Sequence, residues 1–290
     1  MTWATALRLG RVSNLPTVWS NVLAGVVLAG APLHPLPIVL LVLAISLLYV
    51  AGMYLNDLFD RRFDAVAYPT RPIPSGAVAA STVRSIGFAG LAMAQMLLLI
   101  VGYAVDGGTG WPPVLAGIGL AATIVFYNLH HKGNPFGPFL MSLCRAQVYL
   151  TTALAVSPFV SAAVAGGMLV LIAYIMGLSY VAKQESLGRM TNLWPAGLLA
   201  TPFVYGASSA LADGSTAVLY VLFLLWVVMA VGYIVRRGDG DIRNGVMQLI
   251  AGIALLDALL IAMAGHSGLA VLAACAAFLT RLAHRFVPGT

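Results

Sequence analysis

Charge is what this sequence has least of. Only 8% of its 290 residues are charged and 61% are hydrophobic, against roughly 25% charged in a soluble domain, so too few polar side chains exist to cover a water-facing surface. A soluble globular enzyme is excluded. Cysteine is almost as scarce: Cys144 and Cys275 both sit in apolar runs, which excludes a disulfide framework and a Cys-rich zinc site. What is present is apolar sequence with a mean hydropathy of +0.95, the signature of lipid-facing helices. The net charge of +6 would suggest nucleic acid in a soluble domain; here no nucleic-acid partner is expected, and the question is which side of a bilayer the cations occupy.

Gly, Pro and charge punctuation divide the chain into ten apolar runs near the length that crosses the hydrocarbon layer, at about 12–31, 37–57, 80–104, 113–129, 136–156, 161–182, 193–212, 216–235, 245–264 and 267–284. Near-continuous hydrophobicity predicts helices; membrane strands would alternate in polarity. Of the 15 cations, 13 lie at the termini or in the even-numbered junctions and none in the odd ones; Arg84 and Arg145 are the other two. The positive-inside rule then places both termini and the even loops in the cytoplasm, with the first span inserting without a cleaved leader.

The polar chemistry concentrates at the end of the second span, in Asn56-Asp57-Leu58-Phe59-Asp60-Arg61-Arg62-Phe63-Asp64. If the helix continues for two turns, Asp57, Asp60 and Asp64 fall on one face. Adjacent carboxylates repel. A hard divalent cation between them relieves that repulsion, and Mg²⁺ takes its remaining ligands from water and phosphate oxygens. Arg61 and Arg62 can add contacts to the same phosphates, and the Asn56 amide can orient a carboxylate. The competing reading is a solvated helix end with internal Arg–Asp pairs.

This segment resembles the NDxxDxxxD motif of the UbiA superfamily of intramembrane prenyltransferases, and Arg71-Pro72-Ile73-Pro74-Ser75-Gly76 resembles the RPxPSG element that follows it there. Tyr127-Asn128 and Lys132, after the fourth span, are similar to the family's Tyr/Lys element. The resemblance implies a single domain over residues 1–290: an all-α, polytopic transmembrane bundle around a central cavity, with a polar cytoplasmic cap. It further implies transfer of a prenyl group from an allylic prenyl diphosphate to a small hydrophobic acceptor, aromatic or lipid, with Mg²⁺ as cofactor. A bacterial-type cytoplasmic membrane is the expected location. Asp57, Asp60 and Asp64 become the expected metal ligands, with Arg61, Arg71, Tyr127, Lys132 and Tyr180 on the substrate.

One element departs from the family. Where a second aspartate-rich motif is usual, the chain reads Tyr180-Val181-Ala182-Lys183-Gln184-Glu185-Ser186, with one carboxylate and no aspartate. Lys183 can replace part of a second metal's charge as a point cation; alternatively Lys183 and Glu185 form a surface pair. Either Glu185 or Asp64 is the expected acceptor of the proton released on transfer. This loop and Leu255-Leu256-Asp257-Ala258 are similar to an EboC-type bacterial branch of the family.

Within the spans, Arg145 is too deep to be left unpaired without a cost of several kcal/mol. Its partner is either Asp257 or the anionic substrate. Asn14 and Asn21 share one face of the first span, and the family resemblance makes Asn21 the expected substrate-facing amide. His130 and His131 point in different directions with no third ligand and are assigned to the membrane interface. Two other functions compete: a lipid carrier or transporter, whose repeated halves and broken helices are not visible in the sequence, and a non-catalytic accessory protein of the same fold.

Overall fold

The computed structural model describes residues 1–186, 194–236, 238 and 240–287, except the side chains of residues 183–186, 195 and 196. Eleven α-helices and no strand occur among the described residues. The first, α1 (Trp3–Leu9), is a short helix that hydropathy does not signal; the Thr2 side chain caps it by accepting from the Thr5 amide at 3.2 Å. A single 3-10 turn (Val12–Asn14) leads into α2 (Leu15–Leu28). There follow α3 (Pro35–Ala67), α4 (Ala80–Tyr103), α5 (Pro112–His130), α6 (Gly137–Val156), α7 (Ala162–Ser186), α8 (Trp194–Ala212), α9 (Gly214–Arg236), α10 (Asp241–Met263) and α11 (Ser267–Ala283).

Helices α2 to α11 stand where the ten spans were expected. Seven of them, α3 to α7, α9 and α10, are long and apolar enough to cross a membrane, and α2, α8 and α11 contain shorter apolar helices. Local chemistry sets their starts. Proline occupies the first turn of α2, α3, α5 and α6, where its missing N–H removes no hydrogen bond. The Asp213 carboxylate accepts from the Thr216 amide at 2.8 Å to cap α9.

From α2 onward consecutive helices pack against one another, α1 packs on α3, and α2 also packs on α6, α10 and α11. The apolar interior forms two clusters, one among α1 to α6 and the other among α2 and α6 to α11. Helix α10 is at the centre of the second; residues 245–262 are buried except Ile250, which faces the cavity, as expected of a helix apolar nearly all round.

The second expected span ends too early. Helix α3 runs ten residues past 57 to Ala67 because it remains two-faced beyond the apolar run: Asp57, Asp60 and Asp64 are buried, while Arg62 and residues 65–67 are exposed. The following loop is then folded tightly back. Ser75 N donates to Arg71 O at 2.9 Å, Gly76 N to Ile73 O at 3.1 Å and Val78 N to Pro72 O at 3.2 Å. Pro72 and Pro74 fix φ, and Gly76 takes a left-handed φ of +76°.

Candidate active site

The one-face spacing of the three aspartates is realised, yet each meets a cation from a different segment. Arg11, between α1 and the 3-10 turn, places Nη2 3.5 Å from Asp57 Oδ1 and 3.2 Å from Asn56 Oδ1. It does so from a left-handed backbone, φ +41°, a conformation uncommon for a residue with a side chain. Tyr49 and Tyr54 on α3 hold that segment, donating to Arg11 O at 3.4 Å and Ala6 O at 3.2 Å. Asp60 Oδ2 lies 3.0 Å from Lys132 Nζ and 3.5 Å from His131 Nε2. Asp64 Oδ2 lies 2.8 Å from Arg71 Nη1.

These contacts occupy several of the expected site residues. Asp64 is 1% exposed and pairs with Arg71 through Oδ2 alone, its Oδ1 having no hydrogen-bond partner; Asp57, Asp60 and Asp64 all stand behind the residues that line the cavity, and no group of three His, Cys, Asp or Glu placed to hold a metal is found among the described residues. Arg61 turns back along its own helix to donate to Leu58 O at 2.8 Å. Tyr180 donates to Pro135 O at 3.3 Å and is not among the residues lining the cavity. His131 is no interfacial bystander: it faces Asp60 and stacks on Tyr127 with ring centroids 4.9 Å apart. Asn128 links the two elements, accepting from Asn56 Nδ2 at 3.1 Å and donating to Gly52 O at 3.0 Å. The side chains of Lys183 and Glu185 lie outside the described residues.

Beside this cluster opens a cavity of about 620 Å³, with Arg11, Tyr127, Asn128, His131 and Lys132 among its lining residues. Much of the remaining lining is aliphatic, including Ile45, Leu48, Leu120, Ile124, Ile175, Leu178, Ile250 and Ile253. Arg145 also lines it. Asn21 does not: it is fully buried, because its amide is consumed between Arg145 and Asp257. Arg145 Nη1 donates to Asn21 Oδ1 at 2.8 Å, while Asn21 Nδ2 donates to Asp257 at 2.8 and 2.9 Å. Between Arg145 and Asp257, where a direct tie was one expectation, stands an amide, and Arg145 keeps its place in the cavity lining.

At the same end of the bundle, His284 follows α11 and its Nε2 lies 2.7 Å from Oδ1 of the cavity-lining Asn14. Burial, reinforced by Arg281 and Arg243, lowers its pKa to about 4.

A bundle of apolar helices enclosing an oily cavity, with aspartates and cations gathered at one mouth, defines an integral multi-pass membrane protein suited to an anionic head on an apolar tail. Residues 18–236 match the UbiA prenyltransferase family, and the chain belongs to that family. Several relatives are named digeranylgeranylglyceryl phosphate synthase. That of Ignicoccus hospitalis is 30% identical over 74% of this chain and 71% of its own length. Those of Metallosphaera sedula and Methanoregula boonei are 31% and 35% identical over 33% and 39% of this chain. These two matches span only about a third of the relatives' lengths, 34% and 38%. Among solved structures, a UbiA homologue from Aeropyrum pernix K1 superposes with a TM-score of 0.64 at 16% identity, covering 87% of this chain and 97% of that one. A digeranylgeranylglyceryl phosphate synthase structure gives 0.53 at 19%, covering 98% and 94%. Both share the fold.

Proposed function

We propose that this chain is an intramembrane prenyltransferase that moves a prenyl group from an allylic prenyl diphosphate to a lipid alcohol acceptor. The observation that carries this reading is the gathering of Asp57 and Asp60 with Arg11, His131 and Lys132 beside a cavity lined largely by aliphatic side chains. The apolar part of the cavity takes the tail, each buried CH₂ contributing ~0.8 kcal/mol. Arg11 and Lys132 present guanidinium and ammonium donors to the diphosphate. In doing so they release the carboxylates they now neutralise.

Asp57 and Asp60, one helical turn apart, are the hard-oxygen donors that suit Mg²⁺, which takes one or two carboxylates and fills its shell with water and phosphate oxygens. Bound there, the ion would neutralise charge on the departing diphosphate. The bond from prenyl C1 to the diphosphate oxygen breaks, the diphosphate leaves with the electron pair, and the acceptor hydroxyl closes on C1 and gives up its proton. The aliphatic walls exclude water from that carbon. The carboxylates considered for the proton are Glu185 and Asp64, the latter paired with Arg71 through Oδ2. Ala182 lines the cavity, so the chain reaches its edge one residue before Lys183, in keeping with the proposed cationic half-site there. The names of the relatives favour a glyceryl phosphate lipid over an aromatic acceptor. We also assign both termini and the site to the cytoplasmic side.

The test uses purified full-length protein in nanodiscs, radiolabelled prenyl diphosphates, Mg²⁺ and geranylgeranylglyceryl phosphate. Diphosphate release is expected to fall roughly 100-fold or more in Asp57→Ala, the scale of removing one charge-stabilising group, and to stop with EDTA. Release that survives Asp57→Ala overturns the reading.

A further inference from the structure

The cavity holds a second cationic station, separate from the aspartates. Arg145 on α6 lines it, donates to Asn21 Oδ1 at 2.8 Å and Thr17 Oγ1 at 3.2 Å, and lies over the Tyr49 ring at 5.5 Å. Among the described residues no carboxylate comes within ion-pair distance of it. The carboxylate expected to serve, Asp257, is fully buried and already accepts from Ser20 at 2.5 Å, from Asn21 and from Tyr149. Asp257 therefore offsets the guanidinium only at one remove. A guanidinium stays protonated and carries five donors, and two neutral oxygens occupy only part of that fork.

The two stations engage different parts of α3: Arg145 lies over the Tyr49 ring, and Arg11 pairs with Asp57 eight residues further on, ~12 Å of helical rise along the main chain. The region between the stations is where prenyl C1 and the attacking hydroxyl would meet.

We propose that Arg145 selects the acceptor by binding an anionic group on it, phosphate or carboxylate, and that Asp257, acting through Asn21, is a positioning residue for that guanidinium. The inference rests on the prenyl-transfer reading for the identity of the ligand. A planar guanidinium pairs with such oxyanions through two parallel N–H bonds. Asn21 fixes which edge of the fork remains open to the cavity, because its amide can serve Arg145 and Asp257 together in only one orientation.

Acceptor binding is measured apart from catalysis, on full-length protein in nanodiscs with EDTA and no prenyl diphosphate. Geranylgeranylglyceryl phosphate, 4-hydroxybenzoate and neutral geranylgeranylglycerol are titrated in turn. One anionic probe is expected to bind well above the neutral alcohol, and which one identifies the oxyanion. Arg145→Gln should weaken it roughly 10- to 100-fold, the scale of hydrogen bonds to a charged group. Arg145→Lys should retain part of the affinity, and Asp257→Asn should shift it in the direction of Arg145→Gln. In turnover assays these losses should fall on the acceptor KM and leave the prenyl diphosphate KM within about twofold. Equal binding of the neutral alcohol, binding of neither anion, or a loss confined to the prenyl diphosphate KM overturns the proposal. If Arg145→Gln does not fold, Arg145→Lys decides, with wild-type affinity counting against it. Failure of the prenyl-transfer reading would show separately, as diphosphate release indifferent to Asp57.

Discussion

At the scale of single residues, the inner network depends on one glycine. A Cβ at Gly25 on α2 would stand 2.0 Å from Thr152 Oγ1 and 2.9 Å from the Tyr149 Cα on α6. A hydroxyl can rotate away; a main-chain atom cannot, so α2 and α6 must separate. They carry Ser20 and Asn21 on one side and Arg145 and Tyr149 on the other, the groups that meet around Asp257. Gly25→Ala is therefore expected to cost about 1–3 kcal/mol as overpacking, read as a lower Tm in detergent together with weakened acceptor binding. A normal Tm with normal binding would show that the helices have room to spare. Nothing in the sequence distinguishes Gly25 from the other 29 glycines, since the close approach exists only once two distant helices pack. Arg11 was hidden for a related reason: counted as a topogenic cation before the first span, it reaches Asp57 only through a left-handed turn that no pattern announces. The aspartates were legible because their spacing is a property of one helix. Their pairing with cations from three other segments was not, although the family resemblance had already marked Arg71 and Lys132.

At the scale of elements, hydropathy located the spans because each is a long apolar run, but it placed the end of α3 where the apolar run stops. The helix continues because Asp57, Asp60 and Asp64 keep one buried face against the loops that supply Lys132 and Arg71. Helix α1, with seven residues, is too short for any periodicity to register. The last helix makes a separate claim. Helix α11 packs on α2, and His284 just beyond it meets Asn14 at the start of α2. With its folded pKa lowered to about 4 against ~6.5 for a free histidine, the unfolded chain binds the extra proton between those values. The His284 contribution to stability is thus full above pH 6.5 and lost progressively as pH falls toward 4. Wild-type protein should lose Tm across that window more steeply than His284→Gln. Parallel curves for the two proteins would mean that the seat of α11 on Asn14 does not sense protonation. Carboxylates elsewhere titrate in both proteins alike, so the difference isolates the histidine.

At the scale of the whole molecule, the scarcity of charge becomes an asymmetry. Arg11, Asp57, Asp60, Asp64, Arg71, His131, Lys132 and His284 all meet at one end of the bundle, the end bearing the even-numbered junctions, while the α4–α5 loop at the other end carries Asp106 and no cation. Two independent pressures converge on that end. Insertion retains positive loops in the cytoplasm, and a prenyl diphosphate approaching from water needs cations at the mouth that admits it. If both act on the same face, the cavity opens to the cytoplasm. With Cys144 and Cys275 replaced by alanine, Ser75→Cys in the exposed α3–α4 loop should resist a membrane-impermeant maleimide in intact cells and react only after permeabilisation. Asp106→Cys, exposed in the α4–α5 loop, should react in intact cells. The reverse pattern would place the aspartates outside, where soluble cytoplasmic prenyl diphosphates do not reach them, and would separate the direction of insertion from the placement of the site.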